Sequence, residues 1–499
     1  MLRLTAEETA RAVGGRVIFG DEKQVITHIS LDSRTAAKGD LFVPIIGERV
    51  DAHDFIGQVL KNGAAAVFTS RHQSREEAER AMDGQETGMS AKAEAAWIAV
   101  EDTRWALQAL GSFLRSQNPI PLVGVTGSVG KTTTREMTAA ALSAGFSVYK
   151  TPGNSNSQVG VPITLAEIPP EAQIGVIELG MSEPGEMTRI ANIARVDCAL
   201  ITNIGVAHIE QLGSQENILR EKLHIQDGMP ADGPLLLNGD DPLLRTVHIP
   251  GRQIIFYGMG ENCAYRGEEL RVEGGQTAFT AVCGERRISV RLQVMGSHMV
   301  QNALAALAAA DYYGVDLEAA ARELGGFTGY KGRQQILHIG GITVIDDSYN
   351  ASPASMKAGI EVLHSLEGCR RKIAVLADMR ELGPEAPVYH REVGDFAAGQ
   401  NLDCLVLFGE LAREIGTGVC GALEGVRMER NAWQDTSAEG SAHPPQIQLC
   451  KSLDEVKAWL DENLKEGDGV LFKGSNSMGL SQAVKHLLDR QKQEKKENE

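Results

Sequence analysis

The sequence predicts an α/β protein of three consecutive domains, residues 1–117, 118–325 and 326–499. Three observations carry that expectation. Short apolar runs rich in strand formers alternate with helical patterns along most of the chain, as in sheets flanked by helices. The length, 499 residues, corresponds to about three domains at roughly 150 residues each. One glycine loop, Thr126-Gly127-Ser128-Val129-Gly130-Lys131-Thr132-Thr133, separates a strand-like run from a helical pattern and marks the middle domain as a nucleoside triphosphate binder.

In that loop the glycines let backbone N–H groups approach a polyphosphate, and the following helix N-terminus adds favourable partial charge. Lys131 reaches the β- and γ-phosphate oxygens and the Thr132 hydroxyl holds Mg²⁺. Val125 stands where the full eight-residue pattern has its first glycine, so the match is Thr-Gly-x-x-Gly-Lys-Thr.

Composition sets the outer limits. Hydrophobic residues make up 42% of the chain, enough for several cores, and 49 Lys and Arg against 66 Asp and Glu give a net charge of −17. So acidic a chain is a poor general binder of nucleic acid, although a local basic pocket remains compatible with it. Seven cysteines are scattered without a C-x-x-C pair, which argues for a reducing compartment and against a disulfide framework or zinc site. The opening MLRLTAEETARAVGG reads as an amphipathic helix rather than a signal peptide, and no apolar run approaches the roughly 18 residues of a membrane span. A cytoplasmic protein is expected.

Residues 1–117 alternate apolar runs with turns and a helix, without a phosphate loop. Asp32-Ser33-Arg34 ends a strand-like run, where an anion contact and an ordinary turn with a solvated arginine are about equally supported. The polar segment from Ser74 to Ala95 reads as a surface insertion, and Gln117-Asn118-Pro119 as a linker.

In the middle domain, Asn154 and Asn156 sit in a loop of small polar residues suited to a phosphate or a polar substrate. Glu178 lies inside an apolar strand near its C-terminal end, and a carboxylate there requires a partner. Strand C-termini of parallel sheets are where ligands bind, so Mg²⁺ on ATP is the economical partner. The next strand leads to Asn203, His208 and Glu210. A lone histidine is usually structural, but one following a strand-end carboxylate in a phosphate-loop domain favours the metal or phosphate site. Lys222, on a helix, reads by default as a solvated charge, and Asn302 opens a helix from which its amide reaches a base edge.

Residues 326–499 supply a strand pair joined by a glycine turn and ending in Asp346-Asp347, then a polar loop containing Asn350. Three further strands in RKIAVLADMRELG, LDCLVLFGE and DGVLFKGSNSMGL complete a Rossmann-like open sheet. The G-x-G-x-x-G pattern is absent, so a dinucleotide is not indicated, and LDRQKQEKKENE reads as a frayed charged tail. The chain shows no internal repeat.

Taken in order, TGSVGKTT, the Glu178 strand, NIGVAHIEQLGS, GSHMVQNALAA, Arg333 in YKGRQQ, and DDSYNASP resemble the motifs of the Mur ligases, ATP-dependent enzymes that add amino acids to the peptide of the cell-wall precursor. IDDSYNASPASM, LADMRELG and KGSNSMGL look like the branch that adds D-alanyl-D-alanine. LDSR…GDLFVPIIGERVDAHDF is similar to the uridine-nucleotide-binding domain which that branch shares with the diaminopimelate- or lysine-adding ligases. The D-Y-A-H-x-P loop and D-N-P-R motif of that sister branch are absent.

The resemblance implies a UDP-precursor-binding module, a central ATPase and a Rossmann-like C-terminal domain. Its implied substrates are ATP, UDP-N-acetylmuramoyl-tripeptide and D-alanyl-D-alanine, handled by a monomer. Residues 126–133 would bind the phosphates, with Thr132, Glu178 and His208 at Mg²⁺ and Lys131, Glu178, His208 and Lys222 serving catalysis. Lys222 aligns with a lysine that several relatives carry as a carbamate. Asn302 and Arg333 would contact adenine and phosphates, Asp347 the ribose, Ser33 and Arg34 the uridine diphosphate, and Asn154, Asn156 and Asn350 the substrates. Met299, Ser157, Ser352, Pro44 and Ala52 depart from residues common in relatives. Three alternatives stay open: the sister ligase, a folylpolyglutamate-synthase-like ligase, which the N-terminal domain disfavours, and a regulatory ATPase that binds a cell-wall nucleotide without ligating it.

Overall fold

The computed structural model describes residues 2–83, 95–433 and 444–498. Among them the strands form three large sheets and one two-stranded ribbon. The first large sheet has five strands in the order Arg16–Phe19, Ala96–Ala99, Ala66–Thr69, Asp40–Phe42 and His28–Ser30, parallel except at the Arg16–Phe19 edge. The helix Ala6–Ala12 packs beside it, started by a capping box in which Thr5 and Glu8 satisfy each other's backbone N–H groups.

The second sheet has nine strands. From Val148–Lys150 through Ile174–Glu178, Leu122–Thr126, Cys198–Ile201, Leu235–Asn238 and Ile254–Gly258 to Tyr265–Glu273 neighbours run parallel, and two antiparallel strands, Gln276–Cys283 and Arg286–Leu292, extend the far edge. Leu122–Thr126, Ile174–Glu178 and Cys198–Ile201 are buried along their whole length, because helices cover both faces. On one face the helix Lys131–Ser143 packs against Ser297–Tyr312. The latter is apolar nearly all round and rich in alanine, as expected of a buried helix in close contact with neighbours.

The third sheet runs Gln335–Ile339, Ile342–Asp347, Asp468–Lys473, Arg371–Ala377, Cys404–Phe408 and Gln446–Cys450, parallel beyond the first hairpin. The architecture is α/β with mostly parallel sheets, as the sequence predicts.

Three local readings change. The charged tail is not frayed: the helix Ser481–Asn498 runs through it. The polar segment after Ser74 begins as the helix Arg75–Asp83, and residues 84–94 lie outside the described residues. The Gln117-Asn118-Pro119 junction is clamped rather than loose. Buried Arg115 donates to the carbonyls of Asn118 (2.6 Å), Ile120 (2.9 Å), Ala194 (2.9 Å) and Arg195 (3.1 Å) and pairs with Asp197. One guanidinium thereby ties the helix Thr103–Gln117 to the central sheet.

Candidate active site

The strand Leu122–Thr126 delivers the chain to Gly127 at φ +148°, where a Cβ would lie 1.8 Å from Thr202 Oγ1. Only glycine fits that approach. The loop is strapped to the end of the neighbouring strand. Ser128 N–H donates to the Asn203 carbonyl (3.0 Å), Val129 N–H to Asn203 Oδ1 (2.9 Å), and the Thr202 hydroxyl to the Val129 carbonyl (2.5 Å). Gly130, at φ +85°, then starts the helix Lys131–Ser143 with no side-chain cap. An uncapped first turn offers its N–H groups and the positive end of the helix dipole to an anion.

Lys131 Nζ lies over this loop, donating to the Gly127 carbonyl at 2.8 Å. Burial holds its ammonium below the ordinary range; Glu178 opposes that effect and Arg333 adds to it. Glu178 is 1% exposed. Its Oε1 accepts from Asn156 Nδ2 (2.7 Å) and the Thr132 hydroxyl (3.3 Å), and its Oε2 from Arg135 Nη1 (3.0 Å). Two hard oxygen donors, the Thr132 hydroxyl and a Glu178 carboxylate oxygen, thus meet beside the phosphate loop. Among the described residues no group of three His, Cys, Asp or Glu side chains is arranged to hold a metal ion. That sparse oxygen set fits Mg²⁺, which takes one or two protein oxygens and completes its shell with phosphates and water.

Lys222 is not the solvated charge its place on a helix suggested. It is 1% exposed, and among the described residues no hydrogen bond or ion pair reaches its ammonium. Burial, reinforced by the positive charge of Lys131, pushes it well below the ordinary lysine range.

His208 lines the same cavity as Glu178, but its Nδ1 comes within 2.5 Å of Glu381 Oε2, on the C-terminal sheet's side, without hydrogen-bond alignment. This contact lowers the Glu381 carboxyl below its usual range. The metal-ligand expectation for His208 thus meets a carboxylate partner from another domain.

The cavity is about 490 Å³ in volume and is walled by two sheets. From the central sheet come Ser128, Val129, Gly130, Lys131, Thr133, Asn154 and Asn156; from the helix Ser297–Tyr312 comes Asn302, whose Oδ1 accepts from Thr134 at 3.0 Å. Its amide nitrogen faces the sulfur of Met299, one of the departures, at 3.9 Å. From the connection and the C-terminal sheet come Arg333, Asp347 and Asn350. Arg333 stacks its guanidinium 4.2 Å over the Tyr349 ring.

Asp347 accepts from Lys473 Nζ at 2.6 Å, and Lys473 also reaches the Asn350 carbonyl. Burial raises the Asp347 carboxyl above its usual range despite that ion pair. Thr126, Gly127 and Thr132 stand just behind the cavity wall. Ser33 and Arg34 are not brought to it: they lie past the edge strand of the five-stranded sheet, where Arg34 is 82% exposed and pairs with Asp32 at 2.6 Å. That guanidinium holds Asp32 down to about 2.

Several charged residues at the site go unnamed in the sequence reading, Arg135, Glu186, Glu381 and Lys473 among them. Arg135 follows Thr132 by three positions, so helical spacing alone places both on one face. Lys473 ends an apolar strand exactly as Glu178 does in kind, and its signal was the same.

Three segments match domain descriptions of one family: residues 25–115 "Mur ligase family, catalytic domain", 125–310 "Mur ligase middle domain" and 332–476 "Mur ligase, glutamate ligase domain". The chain is 34% identical over 491 residues to the UDP-N-acetylmuramoyl-tripeptide–D-alanyl-D-alanine ligase of Bacillus subtilis, covering 98% of this chain and 99% of the relative. The enzyme of the same description from Escherichia coli is 33% identical over 421 residues, 84% and 88% of the two chains. Among solved structures, MurF from Acinetobacter baumannii superposes with a TM-score of 0.81 at 30% identity, covering 98% and 99%. MurF from Thermotoga maritima in complex with ADP gives 0.73 at 28% identity, covering 93% and 98%.

Proposed function

The chain belongs to the Mur ligase family, and from that premise we infer that it is an ATP-dependent amide ligase adding D-alanyl-D-alanine to UDP-N-acetylmuramoyl-tripeptide. It makes the pentapeptide precursor of peptidoglycan. The observation that carries this reading is end-to-end similarity to ligases of that specificity in a chain whose phosphate loop and C-terminal sheet share one cavity. We set the domain limits at 117/118 and 325/326, supported by the separate sheets on either side.

The reaction has two steps. The tripeptide carboxylate attacks the γ-phosphorus of ATP, a P–O bond breaks, and ADP leaves an acyl phosphate. The amine of D-alanyl-D-alanine then attacks the acyl carbon, loses a proton, and expels phosphate as the C–O bond breaks. Step one joins two anions, so positive charge and fixed dipoles must be in place beforehand. Lys131 and the uncapped first turn after Gly130 supply them on the phosphate side, and Arg333 faces the same space. Thr132 and Glu178 would hold Mg²⁺, which neutralises phosphate charge when bound. Lys222, a buried amine without a hydrogen-bond partner among the described residues, is suited to carry a carbamate, which would turn a repelling cation into an anion.

For step two, His208 lines the cavity and Glu381 stabilises the imidazolium formed when it takes the amine's proton. Asn302 and Asp347 are assigned to adenine and ribose, Asn154, Asn156 and Asn350 to the acceptor side, and Ser33 and Arg34 to the uridine diphosphate. Closure of the two domain walls around the bound substrates would exclude the water that hydrolyses the acyl phosphate. We place the reaction in the cytoplasm, carried out by a monomer. The seven cysteines are free thiols, and no helix among the described residues is long and apolar enough to cross a membrane.

The test is phosphate release from ATP with Mg²⁺ and UDP-N-acetylmuramoyl-tripeptide, with and without D-alanyl-D-alanine. Release that depends on the dipeptide, with pentapeptide by mass spectrometry, is expected. Activity instead with the dipeptide precursor and a diamino acid would move the protein to the sister ligase, and no stimulation by any amine would overturn ligation.

A further inference from the structure

Arg135 is fully buried, 0% exposed, in a helix whose first turn builds the phosphate site. It is not among the residues that line the cavity, and its hydrogen bonds go to protein groups. Its Nη1 donates to Glu178 Oε2 (3.0 Å) and to the Gly153 carbonyl (2.7 Å), and its Nη2 to Glu136 Oε1 (2.5 Å). Lys150 pairs with the other oxygen of Glu136 and balances that second carboxylate. The Tyr330 ring covers the guanidinium at 5.6 Å.

A buried arginine is costly unless it is paired and hydrogen-bonded; the Nε–H of this one has no partner among the described residues, and the pairing falls to its two Nη groups. Here one planar fork fixes three things: the Glu178 carboxylate, the loop that carries Asn154 and Asn156, and its own helix through Glu136. The two Glu178 oxygens are consequently inequivalent. Oε2 pairs with the charged guanidinium, whereas among the described residues Oε1 accepts from two neutral donors, the Thr132 hydroxyl and the Asn156 amide, so the oxygen facing a second cation without a competing positive charge is Oε1. A free carboxylate could rotate and chelate through both oxygens. This one is pinned.

We propose that Arg135 is a positioning residue that occupies Oε2 of Glu178 and so presents Oε1, beside Thr132, as the single carboxylate oxygen offered to Mg²⁺. The inference rests on the assignment of Thr132 and Glu178 to that ion. Lysine at this position keeps the buried charge but cannot span three acceptors, so it leaves the carboxylate free to turn.

The experiment measures Mn²⁺ binding to the full chain in the presence of ADP by electron paramagnetic resonance, with thermal unfolding followed alongside. Arg135→Lys is expected to weaken Mn²⁺ binding about tenfold and alter the bound-metal spectrum, as loss of a ligand-orienting partner typically does, while metal-free ADP binding is retained. The double variant Arg135→Met with Glu136→Gln removes one buried charge of each sign and is expected to weaken it further, so the test survives poor folding of either protein. Unchanged Mn²⁺ affinity and spectrum in a folded variant would overturn the positioning role. Glu178→Gln separates the two layers. If it abolishes Mn²⁺ binding while the Arg135 variants do not disturb it, only the Arg135 inference falls; if it leaves binding intact, the metal-site assignment falls and this inference with it.

Discussion

Two carboxylates end parallel strands beside the same cavity, and they are built differently. Glu178 ends a central strand and is met by Thr132 and Arg135 from the helix that follows the adjacent strand, 46 and 43 residues away. Asp347 ends a strand of the C-terminal sheet and is met by Lys473, 126 residues later, its register partner on the neighbouring parallel strand. The first group adjoins the phosphate loop, whose helix starts without a side-chain cap. The second closes on itself between two buried strands, with Lys473 2% exposed. The contrast teaches that a strand-end carboxylate held by a cation from a helix of its own domain keeps one oxygen beside the phosphate loop, whereas one paired with the end of the neighbouring strand ties its cation into the sheet.

That difference is tested most severely by Lys131→Ala, beside Glu178. Removing a preorganised cation from developing phosphate charge should lower kcat/KM for ATP by about 10²- to 10³-fold. Among the described residues Lys131 has only loop carbonyls as hydrogen-bond partners, so thermal unfolding should barely move. A large drop in Tm with modest loss of turnover would erase the distinction from the C-terminal pair.

Lys473→Met should behave in the opposite way. It leaves Asp347 buried without its cation, a change that costs about 3–5 kcal/mol when a buried pair is broken, read as a lowered Tm and urea midpoint. If stability holds and only nucleotide affinity falls, Lys473 belongs to the ligand rather than to the fold.

The first site was legible because its chemistry is contiguous: Thr126 to Thr133 name the loop, the lysine and the hydroxyl in eight residues. Glu178 was legible for a different reason, as a charge inside an apolar strand requires a partner. Lys473 carried that same signal and went unread, since its partner depends on which strands become neighbours in a six-stranded sheet. Lys222 shows the limit of helical position as a guide. A lysine in the last turn of a polar helix looks solvated until tertiary packing covers it. His208 lines the cavity that the phosphate loop also lines, while its partner Glu381 comes from a domain whose docking no local pattern encodes.

Asp347→Asn sharpens the comparison through pH. Burial raises the Asp347 carboxyl above its ordinary value of 3.8 in the folded protein. The native state therefore holds this proton more tightly than the unfolded chain, and stability falls as pH rises from about that ordinary value through the raised one. The variant should lack this component, so the difference in Tm between it and the parent should change across acidic pH and level off above the window. A constant difference would mean that Lys473 fully offsets the burial.

The smallest effect belongs to the contact that brings the two regions together. Glu381 is 52% exposed in its pairing with His208, and ion pairs of that exposure are typically worth less than about 1 kcal/mol. Glu381→Gln should leave Tm nearly unchanged, since neither sheet depends on it. Because the His208 contact holds the carboxyl below its usual range, whatever the pair contributes is present above the ordinary carboxylate value and lost as pH falls through the lowered one. Its larger consequence should be kinetic: without the carboxylate behind it, the imidazolium of His208 is less stabilised, and the amine-dependent step should slow while acyl-phosphate formation does not. Separating the two steps by positional isotope exchange in ATP against net dipeptide incorporation reads that difference directly. Equal slowing of both steps would instead make Glu381 a strut between the domains.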